Sequence, residues 1–135
     1  EILRFVKECS IGKIIIFPVH PRTKKALNHI PSELLQGIKQ IEPVGYFDML
    51  WLTKNSELVL TDSGGLQKEA FMLRVPCITL REETEWVETI QSGWNLLYKE
   101  YSGRHNIIDT ELHPYGNGKS AEKVVYTIIN TIMET

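Results

Sequence analysis

The feature that most constrains the fold is the junction in residues 61–70, TDSGGLQKEA, where an apolar run passes through two glycines into a helical pattern. The apolar residues 58–60 predict a buried strand, and the apolar residues of 66–73 recur at helical spacing. Ser63, Gly64 and Gly65 therefore fall where strand becomes helix. A chain with this junction is expected to contain at least one strand-turn-helix unit.

Such a junction suits an anion. Glycine admits positive φ and lets backbone N–H groups approach a ligand closely. The unpaired N–H groups of the first helical turn and the positive end of the helix dipole favour negative charge, and the Ser63 hydroxyl could join them. The same spacing also fits a tight strand-to-helix turn with no ligand, so the motif alone leaves both readings open.

Composition excludes several classes of protein. The chain has 135 residues, 42% of them hydrophobic, enough for one globular domain with a core. Its formal net charge of −2 provides no basic surface for nucleic acid or for a membrane. No apolar run approaches the roughly 20 residues that a membrane span requires. Cys9 and Cys77 lack metal-site spacing, so we expect no metal and a cytoplasmic location.

Short apolar runs alternate with amphipathic segments along the whole chain, which is typical of βα units on a parallel sheet. The expected strands cover residues 13–19, 38–41, 57–61 and 77–80, with an edge strand at 95–98. The expected helices cover residues 23–28, 46–53, 65–73, 85–91 and 119–133, the second with an apolar face of Phe47, Leu50 and Trp51 and the last with one of Val124, Ile128 and Ile132. We therefore predict an α/β fold with a three-layer, Rossmann-like parallel sheet.

Polar side chains follow the predicted strands at the edge where doubly wound sheets bind ligands. His20 follows the first strand, Ser63 the third and Arg81 the fourth. His20 could hydrogen-bond a phosphate or protonate a leaving group, although a packed or capping histidine fits as well. Arg81 could clamp a phosphate or pair with the neighbouring glutamates. Together these positions favour an anion site over a bare turn.

Glu69 favours a nucleotide over free phosphate. It lies one helical turn after Gly65, and helical side chains lean towards the helix N-terminus, so its carboxylate can reach the junction. A carboxylate repels phosphate but accepts hydrogen bonds from a ribose diol. A capping carboxylate, favoured by the helix dipole, is the alternative. Lys68 is expected to face solvent, and Thr61 and Asp62 to fix the turn.

The motifs and their order resemble one family, the non-hydrolysing UDP-N-acetylglucosamine 2-epimerases. The motifs are FPVHPRT at 17–23, EPVGYFDMLWL at 42–52, TDSGGLQKEA at 61–70, PCITLREETEWVE at 76–88, GWN at 93–95 and PYGNGKSAEK at 114–123. The resemblance implies the second, UDP-binding domain of a two-domain enzyme of glycosyltransferase-B type. Residues 1–135 would then form this single domain, without its first strand and without the N-terminal catalytic domain. A start at Glu1, inside a helical pattern and without methionine, agrees with a fragment.

By position, the resemblance implies roles for the residues at the predicted edge. His20 matches the family histidine that contacts the substrate phosphate and is needed for activity. Ser63, Gly64 and Gly65 match the diphosphate cradle, and Glu69 matches the ribose carboxylate. We expect these residues to form the catalytic and substrate-binding part of the site in this chain.

The residues expected to contact the base of the nucleotide and the sugar follow the family pattern less closely. Val44 and Met49 fall where the family contacts uracil, and Arg81 completes the expected substrate-binding residues. Residues 84–88 depart from the common pattern Thr-Glu-Arg-Pro-Glu, because Trp86 stands where the family arginine helps to hold the ligand. Relatives that act on UDP-2,3-diacetamido-2,3-dideoxyglucuronate look similar in this segment, so the sugar stays open.

The implied reaction eliminates UDP across carbons 1 and 2 of UDP-N-acetylglucosamine and adds it back with carbon 2 inverted, without a cofactor. The acid and base carboxylates would lie in the missing N-terminal domain, so this chain alone should bind UDP weakly and have no epimerase activity. We expect the full-length parent to be a homodimer in cell-surface polysaccharide biosynthesis. A glycosyltransferase donor domain and a non-catalytic UDP-sugar sensor remain alternatives.

Overall fold

The computed structural model describes residues 1–108 and 114–133, in which helices and strands alternate. The helices are α1 (Ile2–Cys9), α2 (Pro21–Leu27), α3 (Ser32–Leu35), α4 (Tyr46–Lys54), α5 (Gly64–Met72), α6 (Val87–Gln91) and α7 (Ser120–Met133). The strands are β1 (Ile15–Pro18), β2 (Ile38–Ile41), β3 (Val59–Thr61), β4 (Cys77–Thr79) and β5 (Asn95–Leu97). The predicted α/β alternation is confirmed, and α3 is an additional short helix that the sequence pattern did not predict.

The strands form two parallel sheets. β1 pairs with β2, with Ile15 opposite Ile38, and β4 lies between β3 and β5, with Cys77 between Val59 and Asn95. Every strand pairing among the described residues is parallel, as predicted. The expected single sheet is divided, because no ladder joins β1 to β3 within the described ranges.

An ion pair brings the two sheets together at their amino ends. Lys13 precedes β1 and Glu57 precedes β3, and the Lys13 ammonium contacts the Glu57 carboxylate. Both side chains are exposed, so the pair adds little to the free energy of unfolding. The pair shows that the starts of β1 and β3 lie within reach of these two long side chains.

The core lies between α5 and the three-stranded sheet. Val59 of β3, Ala70 of α5 and Cys77 of β4 are buried together with Val75. Leu66 and Leu73 of α5 pack against this cluster as well. Burial of each large apolar side chain contributes about 1.5 to 3 kcal/mol, so the packing fixes α5 and its N-terminus firmly on the sheet.

Two predicted apolar helix faces are not buried. On α4, Phe47 is 82% and Trp51 is 65% exposed, and on α7, Val124, Ile128 and Ile132 are all exposed. Helical periodicity predicts an apolar face but not what covers it, and these side chains stay exposed in the part of the chain that the structure describes. Within residues 1–108 and 114–133, no helix has the length and apolar content needed to cross a membrane.

Candidate functional site

Side-chain hydrogen bonds shape the turn between β3 and α5. The Thr61 hydroxyl oxygen accepts the Ser63 N–H at 3.0 Å, which confirms that Thr61 fixes the turn. Ser63 is the N-cap of α5, in extended conformation, and its Oγ accepts the Leu66 N–H at 3.4 Å. The cap satisfies one of the helix's first N–H groups and leaves the others pointing out of the helix end.

Gly64 and Gly65 open the helix at this point, and their N–H groups have no acceptor among the described residues. Neither glycine has positive φ, so the expected conformational reason for glycine is wrong. Gly64 is instead needed for space, since a Cβ there would lie 2.6 Å from Glu85 Oε1 and 2.8 Å from Trp86 Nε1. A Cβ at Gly65 would meet only Ser63 Oγ, at 3.8 Å.

Glu69 lies on α5 one turn after Gly65 and is half-buried. Within the described part of the chain, its carboxylate forms no ion pair and no hydrogen bond. Side chains on a helix generally lean towards its N-terminus, which is the end where the open N–H groups lie. Glu69 is thus an unengaged acceptor on the same helix as two unengaged donors, one turn further along.

His20 lies directly after β1 and is exposed. It is the N-cap of α2, and its Nδ1 accepts the Arg22 N–H at 3.3 Å, while Pro21 occupies the first helical position. The capping alternative is therefore what the structure shows. Capping does not use the whole ring: with Nδ1 as acceptor, the neutral imidazole carries its proton on Nε2, which can donate to an anion.

A concave space of about 400 Å³ lies between the carboxyl end of β1 and α2. Its lining residues are Val19, Pro21, Lys24, Lys25, Asn28 and Glu42, so it flanks His20 but does not include the turn at Ser63. Lys24 is paired with Glu42 at 2.8 Å, which leaves Lys25 as the cation of this space. The turn between β3 and α5 is the better candidate for a ligand site than this concave space, because it combines open N–H donors with a free carboxylate.

Val44 and Met49 lie together at the carboxyl end of β2. Val44 precedes Gly45, the N-cap of α4, and the Met49 N–H donates to the Gly45 carbonyl at 2.9 Å. Both side chains are half-buried and apolar. Such a pair could pack against the face of a base but could not read its polar edge.

Arg81 follows β4 and forms an ion pair with Glu85. Its Nη1 lies 3.4 Å from Glu85 Oε2, which is the structural ion pair that the sequence left as an alternative. Both side chains are partly exposed, so the pair is weak and can be exchanged for another anion.

Lys68 does not face solvent, and that expectation is wrong. Its ammonium lies 4.1 Å from the centroid of the Trp86 ring and 5.3 Å from that of Tyr115, and the residue is half-buried. The two rings meet edge to face at 6.2 Å. Burial, with Glu88 nearby, raises the pKa of the Tyr115 phenol above its ordinary value. Lys68 is thus a cation held on an aromatic surface.

A buried polar network behind the turn was missed by sequence reasoning. Gln67 and Asn95 are fully buried, and Gln67 Oε1 accepts hydrogen bonds from Thr84 Oγ1 at 2.6 Å and from Asn95 Nδ2 at 3.4 Å. Asn95 also accepts from the Thr79 hydroxyl at 3.0 Å and donates to Thr89 Oγ1 at 3.1 Å. The network ties α5 to β4, β5, α6 and the loop that precedes α6.

This network fixes Trp86 against the turn. The Trp86 N–H donates to Thr84 Oγ1 at 3.2 Å, and its carbonyl accepts from the Thr89 hydroxyl at 2.7 Å. The indole nitrogen is shielded from solvent, has no hydrogen-bond partner among the described residues, and lies over Gly64. The loop at residues 84–86 therefore forms one wall of the turn.

The start of α5 can hold an anion that is attached to a diol, because the N-terminus of α5 supplies donors for the anion and Glu69 supplies an acceptor for hydroxyl groups. His20 carries a further donor, but it follows β1 of the other sheet, and no hydrogen bond or ion pair joins it to the start of α5 in the described residues. No group of His, Cys, Asp or Glu side chains in residues 1–108 and 114–133 could hold a metal ion.

Comparisons with known sequences are consistent along the chain. A family model described as UDP-N-acetylglucosamine 2-epimerase matches residues 1–129. The UDP-N-acetylglucosamine 2-epimerase of Methanocaldococcus jannaschii is 46% identical over 125 residues, 84% of this chain and 34% of that relative. The UDP-2,3-diacetamido-2,3-dideoxy-D-glucuronate 2-epimerase of Pseudomonas aeruginosa is 48% identical over 83 residues, 62% of this chain and 23% of that relative. The chain thus spans about a third or less of these relatives' length.

Solved structures agree with the sequence relatives. The crystal structure of Methanocaldococcus jannaschii UDP-GlcNAc 2-epimerase in complex with UDP-GlcNAc and UDP superposes with a TM-score of 0.72 at 40% identity, over 96% of this chain and 40% of that one. A putative UDP-N-acetylglucosamine 2-epimerase from Listeria monocytogenes superposes with a TM-score of 0.71 at 26% identity, over 99% and 41%. The α/β architecture described above is therefore shared along nearly the whole chain.

Proposed function

Because the chain belongs to the UDP-N-acetylglucosamine 2-epimerase family, we propose that it is the UDP-binding part of such an enzyme. The enzyme converts UDP-N-acetylglucosamine to UDP-N-acetylmannosamine. The observation that carries the proposal is the start of α5. There, Ser63 caps the helix, the N–H groups of Gly64 and Gly65 are open, and Glu69 lies one turn further on. Diphosphate and ribose are the two parts of UDP that need such donors and such an acceptor.

The proposed reaction takes place at two positions of the substrate, carbon 2 of the sugar and the diphosphate on carbon 1. A proton leaves carbon 2 and the bond from carbon 1 to the diphosphate oxygen breaks, giving a glycal and UDP. The diphosphate oxygen then returns to carbon 1, and a proton adds to the opposite face of carbon 2. Negative charge grows on the leaving diphosphate, so donors fixed around it lower the barrier. In this chain those donors are the N–H groups of α5 and the Nε2–H of His20.

The remaining contacts hold the nucleotide in place. Glu69 accepts hydrogen bonds from the ribose hydroxyls, and Val44 and Met49 pack against the uracil. Arg81 reaches the ligand only by exchanging its bond to Glu85 for one to the substrate. The elimination and re-addition move electron pairs within the substrate, with no net oxidation, so the proposed reaction requires no redox cofactor.

We further propose that the complete protein has a second domain and an additional strand. The support is that the Lys13–Glu57 ion pair links the starts of β1 and β3 although no ladder joins these strands in the described residues, while the chain spans only about a third of its relatives. In a doubly wound sheet the first strand lies between the second and the fourth, which is the place between β1 and β3. The acid and base groups for carbon 2 would lie on the second domain, so this chain alone should bind UDP without turnover.

A second candidate substrate has one specific observation in its favour. The Pseudomonas aeruginosa relative that acts on UDP-2,3-diacetamido-2,3-dideoxy-D-glucuronate matches residues of this chain at 48% identity. The UDP contacts would be the same, and only the sugar would change. Both substrates undergo the same inversion at carbon 2, so one assay can compare them.

The proposed setting is a cytoplasmic homodimer that serves cell-surface polysaccharide biosynthesis. Cys9 and Cys77 are both free thiols, which suits a reducing compartment. The exposed apolar faces of α4 and α7 offer surface for further protein contacts. Light scattering on the complete protein tests the dimer directly.

The deciding experiment uses the complete protein in deuterated water. Incubation with UDP-N-acetylglucosamine should give UDP-N-acetylmannosamine that carries deuterium at carbon 2, as read by NMR. A parallel incubation with the diacetamido uronate identifies the preferred sugar. The proposal fails if neither sugar is inverted, or if the 135-residue chain alone catalyses the inversion.

A further inference from the structure

We propose that Lys68, held on the rings of Trp86 and Tyr115, contacts an anionic group of the bound nucleotide sugar. The inference rests on the proposed function, because it adds a residue to the same site. It also gives a physical role to Trp86, which stands where a family arginine is expected.

The position of Lys68 places its charge beside the cradle. Lys68 lies in the second turn of α5, and its side chain leans towards the N-terminus of that helix. Its ammonium lies 4.1 Å from the Trp86 ring centroid, and the indole nitrogen of the same ring lies over Gly64. The Trp86 ring therefore lies between the Lys68 ammonium and Gly64, the first residue of the helix.

The charges of the neighbouring cations are already compensated. Arg81 is paired with Glu85 after β4, and Lys99 is paired with Glu82. Lys68 forms no ion pair in the portion of the chain that the structure describes. A ring face attracts an ammonium but satisfies none of its N–H donors fully, so Lys68 can still donate to an anion.

Two carboxylates oppose this role, Glu85 beside Gly64 and Glu88 near the Tyr115 phenol. Glu85 Oε1 lies 2.6 Å from the position that a Cβ on Gly64 would occupy, so this carboxylate is close to the start of α5. Its other oxygen is the partner of Arg81, which offsets part of the negative charge. An arriving anion would displace the flexible Glu85 side chain more easily than the packed Trp86 ring, and Lys68 would then face the anion directly.

The surface that holds Lys68 is rigid. Trp86 is bonded through its backbone to Thr84 and Thr89, and Tyr115 packs edge to face on both Trp86 and Phe71. Lysine loses considerable rotamer entropy when it is fixed in one place. Because Lys68 is already fixed by the rings, a ligand meets a cation that has already lost most of that entropy.

The anion can come from two sources that share one chemistry. One is the diphosphate, which every UDP-sugar carries. The other is the carboxylate of a uronate sugar, which only the second candidate substrate carries. Ligands that carry or lack the diphosphate or the sugar carboxylate distinguish these two sources of the anion.

The test measures dissociation constants by calorimetry on the complete protein, with uridine, UDP, UDP-glucose and UDP-glucuronate as probes. Lys68→Met removes the charge but keeps an apolar chain of similar length on the rings, and Lys68→Arg restores the charge. Lys39→Met is the matched control, because Lys39 is an exposed lysine on β2. Thermal unfolding of each variant verifies that the fold is intact.

For Lys68→Met we expect about three- to tenfold weaker binding of UDP at low salt, a smaller loss at high salt, unchanged uridine binding, and recovery in Lys68→Arg. An equal loss for UDP, UDP-glucose and UDP-glucuronate assigns the contact to the diphosphate. A loss confined to UDP-glucuronate assigns it to the sugar carboxylate.

Three results would overturn the inference. Binding of every anionic probe within twofold of the unsubstituted protein leaves Lys68 without a ligand. An equal loss of uridine binding gives Lys68 a purely structural role. If the unsubstituted protein binds neither UDP nor uridine, the proposed function fails together with the inference, whereas the first two results leave the proposed function standing.

Discussion

Thr84 donates a 2.6 Å hydrogen bond to the side-chain oxygen of Gln67, and this bond joins the loop before α6 to the helix that begins at the glycine pair. Gln67 has no solvent exposure, so the bond is formed away from water. The same Thr84 hydroxyl accepts the Trp86 N–H. The half-buried Thr84 side chain therefore holds the loop at residues 84–86 in place relative to α5.

The first prediction tests this coupling with a double-mutant cycle. Thr84→Val alone removes a donor from the buried Gln67 oxygen, and Gln67→Met alone leaves Thr84 and Asn95 without their acceptor. We expect each to lower the free energy of unfolding by about 1 to 3 kcal/mol. The double variant should lose less than the sum of the two, because the Thr84–Gln67 bond can be lost only once and neither of its two partners is then left unpaired. Urea denaturation measures all four proteins, and strict additivity would contradict the coupling.

The second prediction separates the two glycines. Gly64→Ala places a methyl group against the Trp86 indole, whose ring packs on Tyr115 and cannot swing aside as Glu85 can. We expect it to displace the loop, lower the thermal stability and shift the Trp86 fluorescence. Gly65→Ala meets only Ser63 Oγ at 3.8 Å, so it should keep the fold and gain up to about 1 kcal/mol of helix propensity. Equal stability of the two variants would show that close approach at Gly64 is unimportant.

The order of helices and strands could be predicted from the sequence, because each unit carries its own pattern. The apolar run that ends at Thr61 and the helical spacing after Gly65 place β3 and α5 without reference to the rest of the chain. The site residues could be placed at strand ends for the same reason, since parallel strands end at one edge.

The packing of the site could not be predicted, because it depends on contacts distant in sequence. Lys68 was expected in solvent, but the chain returns at Trp86 and again at Tyr115 and covers it. A glutamine at a core-facing helical position predicts burial but not its partner, which lies 17 residues later. Thr79, in the apolar run of residues 77–80, is a second sign in the sequence that a polar group is buried behind the site.

The third prediction concerns the thiol in the core. Burial raises the pKa of Cys77 to about 12, whereas the ordinary pKa of an exposed thiol is 9.0. The folded state therefore keeps a proton that the unfolded state loses, and stability falls as the pH rises from about 9 towards 12. The thiol reagent DTNB at pH 8 should react with the half-buried Cys9 and reach Cys77 only after unfolding.

The control for this prediction is Cys77→Ala. Its unfolding free energy should depend less steeply on pH above 9 than that of the unsubstituted chain, whatever the loss from the cavity itself. Rapid reaction of two thiols in the native protein, or identical pH slopes, would contradict the buried, neutral state of Cys77.

The fourth prediction assigns Glu69 to the ribose. A carboxylate between two hydroxyl groups accepts from both, so the unsubstituted protein should bind 2′-deoxy-UDP roughly tenfold more weakly than UDP. In Glu69→Ala both ligands should bind equally weakly, because the acceptor is gone. Glu122→Gln on α7 serves as the charge-matched control and should leave both affinities unchanged. A preference for UDP that survives Glu69→Ala would place the ribose elsewhere.

The fifth prediction separates the two uses of His20. Its Nδ1 caps α2 through the Arg22 N–H, and its Nε2 is the proposed donor to the leaving diphosphate. His20→Ala loses both functions, so α2 should lose about 1 kcal/mol of stability. His20→Asn keeps a capping oxygen, since asparagine is among the best N-cap residues, but has no imidazole to place at the diphosphate.

Turnover of the complete protein should therefore fall roughly 100-fold in both His20 variants, as for the loss of one preorganised donor, while the stability loss appears in the alanine variant alone. Epimerisation measured by NMR and urea denaturation supply the two readouts. Full activity in His20→Asn would reduce the role of His20 to capping. Low activity at normal stability in the same variant requires the imidazole to act on the ligand, because the helix that carries it is then unchanged.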